Sequence, residues 1–181
     1  WEFKGPTTLV LYIRKGVKFH NLPPVNGREL TAEDVLWNLK RISRPGALYI
    51  WKGNFEPVES FTALDKYTVQ LKLKFPFAPI VSYLRGTTFP TQPMLAPEVE
   101  EKLGGEDAYR DMNNARGTGP FMIKSYTPGV GATAVRNPDY WDKGKPYLDG
   151  VQVFIVPDNA TVLPDEGVHA LGPTVTPTVG V

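Results

Sequence analysis

From Tyr67 to Phe75 apolar and polar residues alternate without a break: Tyr67, Val69, Leu71, Leu73 and Phe75 against Thr68, Gln70, Lys72 and Lys74. A period of two puts one set on a core and the other in water, so the pattern predicts a half-buried strand. Val58 to Leu64 predicts its partner, joined through a turn at Asp65-Lys66. Thr8 to Arg14 reads the same way, with Leu9, Leu11 and Ile13 alternating with Val10 and Tyr12 until Gly16 breaks the run. Val17 to His20 is a further short strand candidate, and Asn21 to Glu29, with Pro23, Pro24, Asn26 and Gly27, is loop chemistry. The period then changes. Val35, Leu36, Leu39 and Ile42 form one apolar stripe at helical spacing. Thr31 sits where its hydroxyl can accept from the Asp34 N–H, Glu33 and Asp34 put negative charge in the first turn, Lys40 and Arg41 put positive charge near the other end, and Pro45-Gly46 stops the helix.

Beyond that helix, Ala47 to Pro57 is loop-like but aromatic, with Tyr49, Trp51 and Phe55. Pro79 to Arg85, Pro97 to Leu103 and Glu106 to Met112 predict short helices. From Gly117 the chain turns to short strands, Phe121 to Tyr126, Ala132 to Arg136 and Val151 to Val156, separated by Gly, Pro, Asn and Asp. A subdomain boundary is expected near Asn113 to Arg116. Thr161 to Val181 follows neither period and predicts loop or a poorly ordered end. The sum is an α/β chain, a mixed sheet with flanking helices.

Composition narrows the function. The chain has 181 residues, 41% hydrophobic and 12% aromatic, enough for a packed core. Lys and Arg number 20, Asp and Glu 19, and the basic residues are scattered, which argues against a nucleic-acid partner. There is no cysteine, so thiolate metal sites, disulfides and cysteine nucleophiles are excluded. No apolar run approaches the ~20 residues that span a bilayer. The chain begins at Trp1 rather than methionine, which reads as a processed or partial chain.

Catalytic sets are hard to assemble. The histidines are His20 and His169, one at a strand end and one in the irregular tail. A metal site would need both brought together with a third ligand, and a strand-end histidine bonded to backbone is the favoured reading of His20. Gly117-Thr118-Gly119 lacks the Gly-Lys-Ser/Thr ending of a phosphate loop and runs into a strand, so it reads as a turn. Gly129-Val130-Gly131 reads as a hairpin loop. The carboxylate pairs Glu33 with Asp34, Glu100 with Glu101 and Asp107 with Asp111 read as solvated helix faces. No catalytic residue, metal ligand or cofactor site is assigned. Trp37 lies off the apolar stripe. Tyr49 and Trp51, on a loop, either line a small-molecule cleft or cover the edge of the core.

Two ordered stretches resemble a known family. Leu11-Tyr12-Ile13-Arg14-Lys15-Gly16-Val17-Lys18-Phe19-His20, followed by Asn26-Gly27-Arg28-Glu29-Leu30-Thr31-Ala32-Glu33-Asp34-Val35, is similar to the signature of the family 5 extracellular solute-binding proteins. So are Gly117-Thr118-Gly119-Pro120-Phe121, Arg136-Asn137-Pro138-Asp139-Tyr140-Trp141, Lys145-Pro146-Tyr147-Leu148-Asp149-Gly150-Val151 and Phe154-Ile155-Val156-Pro157-Asp158. Read physically, these motifs are architectural: Gly117 and Gly119 are expected where a β-carbon would hinder the turn, and Asn137 and Asp139 where side chains close one.

The resemblance implies a two-lobed periplasmic-binding-protein fold that closes on its ligand by hinge motion. Residues 1–112 would be the peripheral subdomain of the first lobe, 113–160 part of its main sheet, and 161–181 an irregular tail or truncated connection to a second lobe. It implies the substrate-binding component of an ABC importer, a monomer that captures peptides or similar small solutes for membrane permease subunits. The place implied is the periplasm or the extracellular side, with a lipid tether to the cytoplasmic membrane as one form. Tyr49 and Trp51 are the expected ligand contacts, because the family sends the loop after this helix toward the cleft. Opines, oligosaccharides and nickel complexes are other ligands of the family, nickel fitting least. Two departures stand out: the longer loop Asn21-Leu22-Pro23-Pro24-Val25, and Val162 to Val181, which leaves the family's course. The rival readings are a chaperone-like or interaction module on the same fold, and a hydrolase, which the lack of a nucleophile–base set opposes.

Overall fold

The computed structural model describes residues 1–45, 52–85, 94–155 and 174–178. Contacts group the chain into two compact units, one of Trp1–Val17 with Glu29–Pro97 and one of Lys18–Arg28 with Glu98–Val181.

The first unit is a four-stranded sheet, and its strand order is the first, second, fourth and third strand of the chain. The strands are β1 (Glu2–Phe3), β2 (Thr8–Tyr12), β3 (Val58–Asp65) and β4 (Thr68–Leu73). Leu9 pairs with Leu71 and Leu11 with Val69 across β2 and β4, and Phe61 and Ala63 of β3 pair with the same two residues of β4. One register therefore gathers the apolar half of each alternating run on one face. Helix α1 (Ala32–Ser43) lays its stripe of Val35, Leu39 and Ile42 on that face. Leu9, Val69 and Leu71 are 0% exposed, and each buried side chain of this size contributes about 1.5–3 kcal/mol.

Helix α1 starts where the sequence places it. Thr31 and Asp34 form a capping box, in which the Asp34 carboxylate accepts from the Thr31 backbone N–H at 2.8 Å and the Thr31 hydroxyl at 3.1 Å. This corrects the reading of Glu33 and Asp34 as a solvated pair: Glu33 is exposed, but Asp34 is buried because capping pulls it in. Short helices α2 (Ile80–Arg85) and α3 (Pro97–Leu103) follow. Ile80 reaches the core beside α1.

The second unit holds a sheet ordered β5 (Phe121–Thr127), β6 (Gly131–Arg136), β7 (Gly150–Phe154) and β8 (Thr174–Thr178). Among the described residues every strand pairing in both sheets is antiparallel, which adds detail to the mixed α/β expectation. Gly131 and Gly150 lie where backbones pass closest. A β-carbon at Gly131 would meet the Val153 carbonyl oxygen at 2.1 Å, and one at Gly150 the Ala134 oxygen at 2.8 Å. No side chain of β5, β6 or β7 is fully buried.

Three local expectations change. Within Val17 to His20 only Lys18 makes an isolated bridge, because the loop after it bonds back along its length. Glu106 to Met112 is not one α-helix but two 3-10 turns, Gly105–Arg110 and Met112–Asn114. The Asp111 side chain accepts from the Asn113 N–H at 2.9 Å and starts the second turn. Thr174–Thr178, inside the tail expected to be loop, pairs with β7. Its β-branched residues suit a strand, and an outer strand tolerates Pro177.

Candidate functional site

The C-terminal end of α1 shapes a groove in the first unit. Arg44 precedes Pro45, whose ring disfavours helical geometry one residue earlier, and Arg44 is accordingly extended, with its N–H still donating to Lys40 O at 3.1 Å. A 3-10 turn at Lys52–Phe55 follows, closed by the Glu56 N–H to Gly53 O at 3.1 Å. Phe55 is buried and stacks at a tilt against half-buried Phe61, ring centroids 6.4 Å apart. Together with Val58 these rings floor a groove of about 610 Å³. Lys40, Arg44, Lys52 and Lys74 line it, with Glu56 and Glu59. Pro45 and Lys52 are also the described ends of the segment that carries Tyr49 and Trp51, which themselves lie outside the described residues. By local pattern Lys40 is a helix-end cation and Lys74 belongs to the wet face of a strand. Only the fold brings them to one groove.

The motifs that carry the family resemblance meet elsewhere, in the second unit, as a backbone clamp. The His20 N–H donates to Gly117 O at 2.8 Å. Its ring Nδ1 accepts from the Gly117 N–H at 3.3 Å, and Nε2 lies 3.2 Å from Gly119 O. That pairing requires the neutral ring with its proton on Nε2. Asn137, 1% exposed, donates from Nδ2 to the same Gly119 oxygen at 2.9 Å, and its Oδ1 accepts from the Asp139 N–H at 3.0 Å. His20 is 5% exposed. Burial holds its pKa below the ordinary value, and the Arg116 charge pushes the same way against its backbone hydrogen bonds. His20 is thus the backbone-bonded histidine the sequence suggests, and His169 lies outside the described residues. A β-carbon at Gly117 would make only ordinary contact, 3.8 Å from the His20 ring, and one at Gly119 would meet nothing within 4 Å. The expectation that a β-carbon would hinder this turn is therefore corrected: the clamping side chains, not missing β-carbons, fix it.

Glu29 organises the signature in the first unit. Its carboxylate accepts from the Gly16 N–H at 2.7 Å, Lys66 Nζ at 2.8 Å and the Tyr67 hydroxyl at 3.0 and 3.1 Å. The Lys66 bond, then those of Gly16 and Tyr67, lower its pKa to about 2. In the second unit, Arg28 forks onto Glu98, with Nη2 to Oε2 at 2.9 Å, and lies 4.8 Å over the Phe19 ring. Among the described residues no group of three or more His, Asp or Glu could hold a metal ion. No described helix is long and apolar enough to cross a membrane.

A family profile described as bacterial extracellular solute-binding proteins, family 5, middle region, matches residues 1–164. A di/tripeptide-binding protein 4 of Pseudomonas aeruginosa is 31% identical over 160 residues, covering 81% of this chain and 29% of that protein. The glutathione-binding protein GsiB of Escherichia coli is 29% identical over 155 residues, covering 85% of this chain and 28% of the relative. Among solved structures, the periplasmic binding protein DppA of Helicobacter pylori in complex with the peptide STSA superposes with a TM-score of 0.73 at 27% identity, covering 88% of this chain and 33% of that one. The chain thus spans less than a third of the length of these relatives.

Proposed function

The chain belongs to the family 5 bacterial extracellular solute-binding proteins, and from that premise we propose that it is the substrate-binding component of an ABC importer. It captures peptides or similar small solutes outside the cytoplasmic membrane by lobe closure and passes them to the permease. It works as a monomer without a cofactor, in the periplasm or on the outer face of the membrane, tethered there in lipidated forms. Within this reading residues 1–112 are the peripheral subdomain of the first lobe, 113–160 part of its main sheet, and 161–181 the connection toward the second lobe. The observation that carries the reading is the profile match over residues 1–164. The relatives named for di/tripeptides and glutathione support a peptide-like solute.

Tyr49 and Trp51 contact the solute: two flat rings on the loop after α1 offer contact area at little entropic cost. Titration calorimetry of the intact protein with a tripeptide panel tests this. Binding should weaken roughly tenfold or more in Tyr49→Ala/Trp51→Ala, in line with the loss of aromatic anchors. Unchanged affinity removes both from the site. The protein is a binder rather than a catalyst, since the described histidine, His20, is spent on backbone hydrogen bonds. Sustained hydrolysis of peptide or glycoside substrates overturns that.

A further inference from the structure

We propose that His20 and Arg116 form a proton-operated latch on the Asn21 to Val25 loop, closed while the ring is neutral and released when the ring takes up a proton. Its parts lie on two segments of the second unit. Arg116 ties the loop to the joint that leads into β5. Its Nε donates to Pro23 O at 2.6 Å, and its Nη1 donates to Asn113 O at 2.8 Å and to Ala115 O at 3.1 Å. One residue on, the Gly117 N–H donates to His20 Nδ1 at 3.3 Å. The Arg116 charge also bears on the ring.

A proton changes only one side of that ring. Nε2 carries hydrogen in either state, so its bond to Gly119 O survives, and Asn137 holds the same oxygen at 2.9 Å. Nδ1 reverses its role. In the neutral ring it accepts from Gly117; once protonated it is a donor facing a donor. Its next acceptor is Ala115 O, which favours the charged ring and which Arg116 already occupies. Two cations then claim one carbonyl and repel each other. His20 is 5% exposed and held by its own backbone bond to Gly117 O, whereas Arg116 is half-buried. The guanidinium is therefore the group that yields, and its bond to Pro23 goes with it. The other charges on the surrounding segments are engaged: Lys18 faces Asp139 at 3.8 Å, and Arg28 forks onto Glu98.

The test is NMR of the intact protein, with 15N in its histidine rings and arginine guanidinium groups, titrated from pH 7.5 to 5. At pH 7.5 the His20 ring should show the Nε2–H tautomer, and the Arg116 Nε–H should exchange slowly with water. Below pH 6.5 His20 should take up its proton. Protection of the Arg116 Nε–H, measured against free arginine at the same pH, should fall roughly tenfold or more with the same midpoint, the scale of one hydrogen bond to a charged group. His20→Gln, which takes up no proton in this range, should show no such fall. Unchanged Arg116 protection through the whole His20 titration overturns the latch. So does an Nδ1–H tautomer at pH 7.5, or a fall that persists in His20→Gln. Loss of near-UV circular dichroism at the same midpoint overturns it too, because the event is then unfolding rather than release. The wild-type titration decides by itself should the variant fail to fold.

Discussion

Replacing His20 with phenylalanine keeps a flat ring, slightly larger than imidazole, in its buried slot and deletes both of its ring hydrogen bonds. The two lost partners are not equivalent. Gly119 O keeps the Asn137 Nδ2 donor at 2.9 Å, so it is not orphaned. The Gly117 N–H loses the acceptor that Nδ1 provides at 3.3 Å. An orphaned donor costs about 1–3 kcal/mol. Gly117 is only half-buried, so the lower half of that range, ~1–2 kcal/mol, is the expected loss. At a chain length near this one, that corresponds to a fall in Tm of roughly 2–8 °C.

The pH dependence is the sharper readout. The folded pKa of His20 lies below its ordinary 6.5 because burial disfavours the imidazolium. The unfolded chain therefore binds the proton first as pH falls. Stability from this group is complete above pH 6.5 and is lost as pH falls below that value through the folded pKa, with a limiting slope of about 1.4 kcal/mol per pH unit. Urea unfolding followed by tryptophan fluorescence between pH 8 and 5, with His169→Gln as background, isolates His20. The slope between pH 6.5 and 5 should be present in that background and absent when His20→Phe is added. An unchanged slope, or a background protein that grows more stable on acidification, refutes the argument.

Three further outcomes follow from the same geometry. Gly131→Ala should destabilise by more than ~2 kcal/mol, since its β-carbon would lie 2.1 Å from a backbone oxygen, whereas Gly119→Ala should be neutral or slightly stabilising in the same denaturation assay. Asn137→Ala leaves the half-buried Asp139 N–H without its acceptor and should cost about 1–2 kcal/mol, with the amide proton of Asp139 exchanging faster by NMR. Glu29 carries a pKa lowered to about 2 by Lys66, Gly16 and Tyr67. Its contribution is present above pH 4.5 and lost as pH falls toward 2, so Glu29→Gln should lower the neutral plateau, leave stability near pH 2 little changed, and thereby flatten the acid limb of the profile.

The sheet register of the first unit was legible because Tyr67 to Phe75 alternates strictly, and a one-residue slip would expose Val69 and Leu71. Helix α1 was legible because capping, stripe and proline stop agree over consecutive residues. The Glu106 to Met112 segment was not, because the Asp111 side chain competes with the helix for a backbone donor. The β8 segment was missed because three β-branched residues ahead of a proline are too short a run to show a period, and pairing with β7 supplies what local preference lacks.

The candidate site divides the same way. Loop aromatics draw attention in a sequence, so Tyr49 and Trp51 stand out. Lys40 and Lys74 do not, since a helix-end lysine and a wet strand lysine have ordinary local explanations. By itself the sequence determined strands β2 to β7, the main helix and the family, since each depends on short-range periodicity or an ordered motif. The tertiary structure alone decided which charges share a groove and which turn His20 and Asn137 hold. Those facts join residues about twenty to a hundred positions apart, and no local pattern encodes the distance between them.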